Sequence, residues 1–430
     1  MPCRLARCPH ETREETADGC VLRDRLVRRS PRRRAVDQDG TTLAQARIGH
    51  DVAGFSELLA LPAEHGDSRG ELIPVAIETG RGLLVAALRG TGRAVFAINP
   101  LSVSRYRDRH SVARRKSDPG DALVLAHLLR TDMTAHRPLP ADSEQARAVA
   151  VLARAQQDAA WDRVTAHNRL RAVLHEYFPA FLNAFSGKRG GIMRPEARAL
   201  LATAPTPRRA ARLTRTQLVS VLRRAGRVRL LDEQAEALQT MLRRDELHHP
   251  EPVETAMGHQ ALALLRLLDA ACRNADDLAA NAEAAFAAHP DAQIITSFPG
   301  IGGLTGARVL AEIGDDRSRF ADARGLKAYA GAAPITRASG KSRSVTTRRT
   351  KNQRLAAAGY SWAFSSPTAS PGARAHYDRR RTRGDAHVAA QRNLFNRLLG
   401  CLHHCLTTDT AYDENTAFPA TPTDAAPHAA

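Results

Sequence analysis

Aromatic residues make up only 4% of this 430-residue chain, which has two tryptophans, six tyrosines and eleven phenylalanines. Its cores must therefore be built from Ala, Leu, Val and Ile, which a hydrophobic content of 43% permits. Long apolar runs are missing too: no uninterrupted stretch approaches the ~20 residues a membrane-spanning helix needs. The opening residues, with Cys3, Arg4, Arg7 and Cys8, lack the apolar centre of a secretory signal. Six cysteines at irregular spacing do not make a disulfide framework. Cys401 and Cys405 flank His403 and His404 in the manner of a metal site. On a helix, however, the two thiols lie one turn apart beside apolar neighbours, without a second ligand pair, so plain helix packing is expected. No membrane association and a cytoplasmic location follow as expectations.

Acid is also in short supply. Against 63 Lys and Arg stand 45 Asp and Glu, a formal charge of +18, which points to a polyanionic partner, nucleic acid before membrane. The stretch Arg23 to Arg34 alone holds seven arginines and one aspartate, so the rest still carries about +12.

What is present falls into segments. From residue 35 to 140, short apolar runs alternate with amphipathic stretches. Thr42–Ile48, Ile73–Ile77 and Ala94–Ile98 have strand patterns; Phe55–Leu61, Leu83–Leu88 and Ala122–Leu129 have helical ones. This predicts an α/β domain with a mixed sheet. Residues 141–290 carry apolar residues at helical spacing (Val149, Leu152, Leu170, Leu174) without a sustained heptad, and predict a helical linker, either coiled-coil in part or a plain helical subdomain. Residues 291–406 form a third, mainly helical unit. The Ala-, Thr- and Pro-rich stretch 407–430 is expected to be a disordered tail.

Three groups of residues carry chemistry. Glu78 ends an apolar strand, where polar ligands gather in open sheets, and Asp118 and Asp121 share a helix face. Carboxylates from separate segments suit two Mg²⁺ ions and phosphoryl transfer. Asp118 before Pro119 is equally a good helix cap, and the two roles are compatible. Pro299-Gly300-Ile301-Gly302 lies between helical stretches like a helix-hairpin-helix turn, in which Gly300 and Gly302 would let backbone approach a phosphate; any tight helix–helix turn offers the same composition. Finally, Ser339 beside Gly340 is sterically open among Arg337, Lys341, Arg343, Arg348 and Arg349, cations able to hold a phosphodiester. A solvated loop serine is the plainer reading.

In combination these segments resemble the transposases of the insertion-sequence one-ten and one-sixteen family, the DEDD-type recombinases. The resemblance is carried by Val75-Ala76-Ile77-Glu78-Thr79-Gly80, Ala97-Ile98-Asn99-Pro100 and Arg115-Lys116-Ser117-Asp118-Pro119-Gly120-Asp121-Ala122. Phe298 to Gly302, Arg319-Phe320, Tyr329 to Pro334 and Ala338-Ser339-Gly340-Lys341 complete it. It implies an RNase H-like (RuvC-like) N-terminal domain, a helical linker and a C-terminal transposase domain. It further implies Mg²⁺ held by Glu78, Asp118 and Asp121, and Ser339 as nucleophile, with Ser342 and Ser344 as alternatives. Donor and target DNA, an element-encoded bridge RNA and a dimeric or tetrameric assembly are the implied partners. A non-catalytic nucleic-acid-binding protein and a metal-dependent junction nuclease are the rival readings.

The departure from the family is at the front. The family opens with a Gly-Ile-Asp strand whose Asp is the first metal ligand, and no such strand is expected here before Asp37. Asp24 is flanked by arginines, and Asp37 and Asp39 lie in a turn-like Asp-Gln-Asp-Gly. Residues Arg23 to Arg34 are encodable by codons that, one nucleotide later, give Gly-Ile-Asp-Trp-Ser-Glu-Asp-His-His-Asp-Val. Residues 1–34 are accordingly expected to be an aberrant, out-of-frame segment, and this copy to be impaired.

Overall fold

The computed structural model describes residues 19–22, 32–37, 39–49, 51–110, 118–187, 190–340 and 342–419. The chain divides into two compact units, Met1–Pro140 and Ala141–Ala430. Among the described residues it is mostly helical, with two small sheets.

The first unit holds β1 (Gly19–Leu22), β2 (Arg32–Val36), β3 (Thr42–Arg47), α1 (Val52–Glu64), β4 (Val75–Ile77), α2 (Leu83–Gly90), β5 (Val95–Ala97), α3 (Pro100–His110) and α4 (Asp118–Asp132). Its sheet runs β3-β2-β1-β4-β5. The β1–β2 and β2–β3 pairs are antiparallel, and β1–β4 and β4–β5 are parallel. This is the mixed sheet expected of an RNase H-like domain.

Alternation along β4 explains the layering. Val75 and Ile77 bury against one face with Leu58 of α1 and Val85 and Leu88 of α2. Ala76 turns to the other, packing with Val103 of α3 and Leu125 and Leu129 of α4. A buried ion pair closes the edge. Arg93, 3% exposed at its side chain, meets Asp67 at 2.8 Å and donates to the Ile73 carbonyl, also at 2.8 Å.

The expectation that no strand precedes Asp37 is corrected. Gly19–Leu22 forms the central strand, with Cys20 beside Val75 and Val21 beside Ala76. Arg32–Arg34, assigned to the aberrant segment, begin β2 and pair with Gln45 to Arg47. Four residues suffice for β1 because backbone pairing on both sides, not side-chain pattern, defines a strand. The Arg-rich stretch Arg23 to Pro31 between them lies outside the described residues, Asp24 included.

The second unit is organised by two long helices, α5 (Glu144–Tyr177) and α11 (Glu251–Ala287). Ser143 caps α5, accepting from the Ala146 N–H at 3.0 Å. The pair is antiparallel: Val149 and Ala153 share a core with Ala282 and Phe286, while Leu170 and Leu174 share another with Ala261, Leu265 and Leu268. At ~1.5 Å per residue, the 21 residues from Val149 to Leu170 separate these cores by about 30 Å along α5. Around the second core fold α6 (Pro179–Ala184), α7 (Pro195–Thr203), α8 (Pro207–Ala211), α9 (Arg215–Arg224) and α10 (Leu231–Leu242).

The first core gathers α12 (Ala292–Thr296), α13 (Gly303–Ile313), α14 (Ala323–Tyr329), the hairpin β6 (Ile335–Ser339) and β7 (Ser342–Thr346), α15 (Gln353–Ala369), α16 (Pro371–Thr382), α17 (His387–Thr408) and α18 (Glu414–Ala417). Cys401 and Cys405 lie one turn apart on α17, Cys405 buried in this core.

The disordered-tail expectation is corrected for residues 407–419. Tyr412 stacks on Phe298 with ring centroids 4.7 Å apart, and its hydroxyl donates to Glu414 at 2.6 Å. Glu414 also accepts from Ser370 at 2.7 Å and from the Gly372 N–H at 2.8 Å. Two aromatic anchors and one satisfied carboxylate outweigh a disorder-prone composition. Among the described residues, no helix is long and apolar enough to cross a membrane.

Candidate active site and nucleic-acid interface

Glu78 follows the buried strand β4 directly, at the carboxyl end of the parallel strands. β1 ends at Leu22 at that same end, since Val21 pairs with Ala76 in parallel register. β1 itself, Gly19-Cys20-Val21-Leu22, contains no acid. Asp118 opens α4; its side chain lies outside the described residues. Asp121, one turn later, is buried and ion-paired with Arg107 of α3 at 2.7 Å. Sequence patterns missed Arg107 because the α3–α4 packing that delivers it is tertiary.

Among the described residues no group of three His, Cys, Asp or Glu is gathered as a cation site. The donor chemistry of Glu78, Asp118 and Asp121, all carboxylate oxygen, nonetheless fits a hard divalent cation. Arg107 competes for Asp121 and would have to be displaced.

Ser339 lies in the second unit, in a setting more defined than a loop. It is the last residue of β6 and pairs with Ser342 across a two-residue turn. Gly340, with φ +54°, is the first residue of that turn, a conformation L side chains avoid. Paired residues project on one side and alternate along each strand. Ser339 and Ser342 therefore share a face with the next paired couple but one, Arg337 and Ser344. Arg343, opposite Ala338, projects to the other face. Every residue from Thr336 to Gly340 and from Ser342 to Thr347 is exposed. Arg337 and Arg349 line a cavity of about 530 Å³ at the base of the hairpin. Arg348 is half-buried, its Nε without an acceptor. Lys341 lies outside the described residues.

A buried polar network anchors the hairpin. Asn352, just beyond β7, donates to Glu312 and to the Tyr329 hydroxyl, each at 2.6 Å. Its backbone N–H reaches the Tyr329 carbonyl at 2.8 Å. Arg154 from α5 clasps the same carboxylate at 2.7 Å. Burial favours the neutral guanidine of Arg154, but the hydrogen bond and charge of Glu312 outweigh it and raise its pKa. Lys351 covers Gly331, whose φ of +72° and missing Cβ admit it. Both ends of the hairpin are thus pinned. The sequence offered no signal for this, since Glu312 is a lone acid in α13 and its partners come from distant segments.

The glycine turn between α12 and α13 is held by its carbonyl: Pro299 accepts from Trp362 Nε1 at 3.1 Å and from Ser366 Oγ at 2.9 Å. Gly300 has φ +79°, and a Cβ there would meet the Ser366 backbone nitrogen at 2.6 Å. Its glycine is explained by packing. Gly302, extended at φ −99°, caps α13 with open space around it. Of the two, Gly302 is the one free for a ligand.

Comparison with known proteins shows which family the chain is similar to. A DEDD transposase profile of IS110 elements matches residues 32–179. A second, described as transposase of the IS116/IS110/IS902 family, matches residues 292–378. The mini-circle transposase for IS117 of Streptomyces coelicolor is 61% identical over 383 residues, 89% of this chain and 92% of that protein. The IS110 insertion-element protein of the same organism is 30% identical over 335 residues, 77% of this chain and 80% of its own. An IS900 insertion-element protein of Mycobacterium paratuberculosis is 29% identical over 398 residues, 91% of this chain and 95% of its own. The chain belongs to the IS110/IS116 family of insertion-element transposases.

Proposed function

We propose that this transposase cuts and rejoins DNA through Ser339, with Glu78, Asp118 and Asp121 as ligands of Mg²⁺. The observation carrying the reading is the Ser339 hairpin: an exposed serine at a tight glycine turn, on one face with Arg337 and pinned at both ends. Ser339 Oγ attacks a DNA phosphorus. A Ser–O–P bond forms, one phosphodiester P–O bond breaks, and the displaced sugar oxygen takes up a proton while the serine hydroxyl gives one up. Arg337 steadies the charge that builds on the phosphoryl oxygens. When bound, Mg²⁺ supplies electrophilic stabilisation of phosphate oxygens. Glu78, Asp118 and Asp121 hold it, with Asp121 released by Arg107.

The turn at Pro299 to Gly302 is proposed as a helix-hairpin-helix that meets a phosphate through the α13 N-terminus at Gly302. Donor and target DNA, an element-encoded guide RNA and a homo-oligomer complete the proposed assembly. Residues before the family match, which opens at residue 32, are proposed to be out of frame. With no acid in β1, metal binding is weakened, and this copy reacts slowly.

A denaturation-resistant protein–DNA adduct tests the reading. It forms with Ser339 present and is lost in Ser339→Ala, while DNA binding persists. Adduct-free cleavage that survives Ser339→Ala would establish a metal-only nuclease instead. Binding without either reaction would establish a non-catalytic protein.

A further inference from the structure

The second unit contains a cavity of about 860 Å³ that the proposed chemistry does not use, set among α14, α16, α17 and the segment entering α18. Five cations line it: Lys327, Arg379, Arg380, Arg383 and Arg397. Asp413 is the single carboxylate on its wall. Two of the cations are engaged. Arg380 pairs with Asp385 at 2.6 Å, and Arg397 donates to the Ala417 carbonyl at 2.7 Å while lying over the Phe418 ring. Lys327, Arg379 and Arg383 make no ion pair among the described residues.

The positive field is strong enough to act on a neighbour. His376 stacks on Phe418 at 5.9 Å, and its Nε2 is buried without a hydrogen-bond partner. Burial, then the charges of Arg379, Arg397, Arg380 and Arg383, push its pKa down to about 4. The imidazole stays neutral although a vacant nitrogen faces its surroundings.

Size and lining narrow the ligand. Cavities of ~300–1,000 Å³ hold small organic molecules, whereas a lone inorganic anion would leave most of this one unfilled. The unpaired cations come from separate elements, α14 and the end of α16, which suits more than one phosphate. The wall also carries the Asn396 amide, able to hydrogen-bond a base edge, and the apolar surfaces of Ala323, Ala411 and Ala417, against which a base face can pack. A base stacked and paired in a duplex cannot enter such a space without being flipped out.

We propose that this cavity receives one unpaired nucleotide of a single strand, with Lys327, Arg379 and Arg383 pairing the phosphates that flank it. The proposal rests on the reading that the chain acts on nucleic acid, and adds which form of nucleic acid this surface selects.

The test uses the full chain with fluorescently labelled 12-nucleotide oligo-dT, oligo-U and a 12-base-pair duplex, titrated by anisotropy across salt concentrations. Arg379 and Arg383 are exposed, so the Arg379→Ala/Arg383→Ala protein should fold. Its single-strand affinity is expected to fall ~10-fold or more. The slope of log K against log salt should shrink by about 1.4, two contacts at ~0.7 each. Duplex affinity should change less than about twofold, and Arg379→Lys/Arg383→Lys should restore the slope. The dT and U arms show whether DNA or RNA supplies the strand. Single-strand affinity and slope unchanged in the double alanine variant would overturn the proposal. Wild-type binding to duplex but to neither single strand would overturn it alone; binding to nothing would overturn the nucleic-acid reading beneath it.

Discussion

Asn352 donates its side-chain amide to the buried carboxylate of Glu312 at 2.6 Å, tying the loop that leaves the Ser339 hairpin to helix α13. Glu312 is 4% exposed at its side chain and also carries Arg154. Its replacement by Gln leaves a half-buried guanidinium facing a neutral amide. We expect Glu312→Gln to cost ~2–3 kcal/mol, toward the low end for breaking a buried pair because Arg154 retains partial solvent access. Denaturant unfolding of the second unit measures this, and a cost under about 0.5 kcal/mol would deny the network its anchoring role.

The faces of the hairpin separate two arginines that the sequence treats alike. Arg337 shares the face of Ser339, and Arg343 does not. Arg337→Ala should slow adduct formation by ~10- to 100-fold, whereas Arg343→Ala should change it only a few-fold. Equal losses in single-turnover assays would contradict the face assignment.

Two neighbouring glycines should respond differently to alanine. Gly300→Ala forces a side chain into a positive φ and against the Ser366 backbone, at ~2–3 kcal/mol. Gly302→Ala, in extended backbone with open surroundings, should cost less than ~1 kcal/mol, and weaken DNA binding if the turn meets a phosphate. Chemical denaturation paired with a binding titration resolves both.

The first unit should lose stability in acid through Asp67. Burial raises its pKa, but the hydrogen bonds from Arg93 and the Ile73 N–H and the charge of Arg93 outweigh this and hold it below the usual carboxylate range. A depressed folded-state pKa gives stability that is complete above the unfolded value of ~3.9 and disappears as pH falls through the lower, folded value. Asp67→Asn should therefore be less stable at pH 7, and its stability should vary less with pH below about 4. An unchanged acid limb in that variant would count against the pair.

Much of the first unit was legible because its parallel strands are buried on both faces and so read as apolar runs. Val75 to Ile77 and Val95 to Ala97 stand out in this way, and Asn99-Pro100 marks where α3 begins. β1 was not legible: four residues next to an arginine run carry no pattern, and only pairing with β2 and β4 defines them. The Ser339 hairpin escaped for another reason. Both strands are exposed, so no alternation of apolar and polar residues announces them. Asp121 was found as an acid on a helix face, but its partner Arg107 depends on how α3 meets α4. In the 407–419 segment, composition pointed to disorder, while Tyr412 and Glu414 decided the matter through contacts far away in sequence.

The absence of an acid in β1 makes a direct comparison of reactivity possible. The decisive measurement is the yield of covalent protein–DNA adduct on a denaturing gel, using labelled DNA carrying the element's joined ends, Mg²⁺ and the proposed guide RNA. Three proteins are compared: this chain, a frame-restored chain bearing Gly-Ile-Asp at the front, and the restored chain with Ser339→Ala. The account predicts abundant adduct with the restored chain, on the order of 10²-fold less with this chain, and none above background with Ser339→Ala. Adduct that persists without Ser339, or equal yields from the first two proteins, would contradict it.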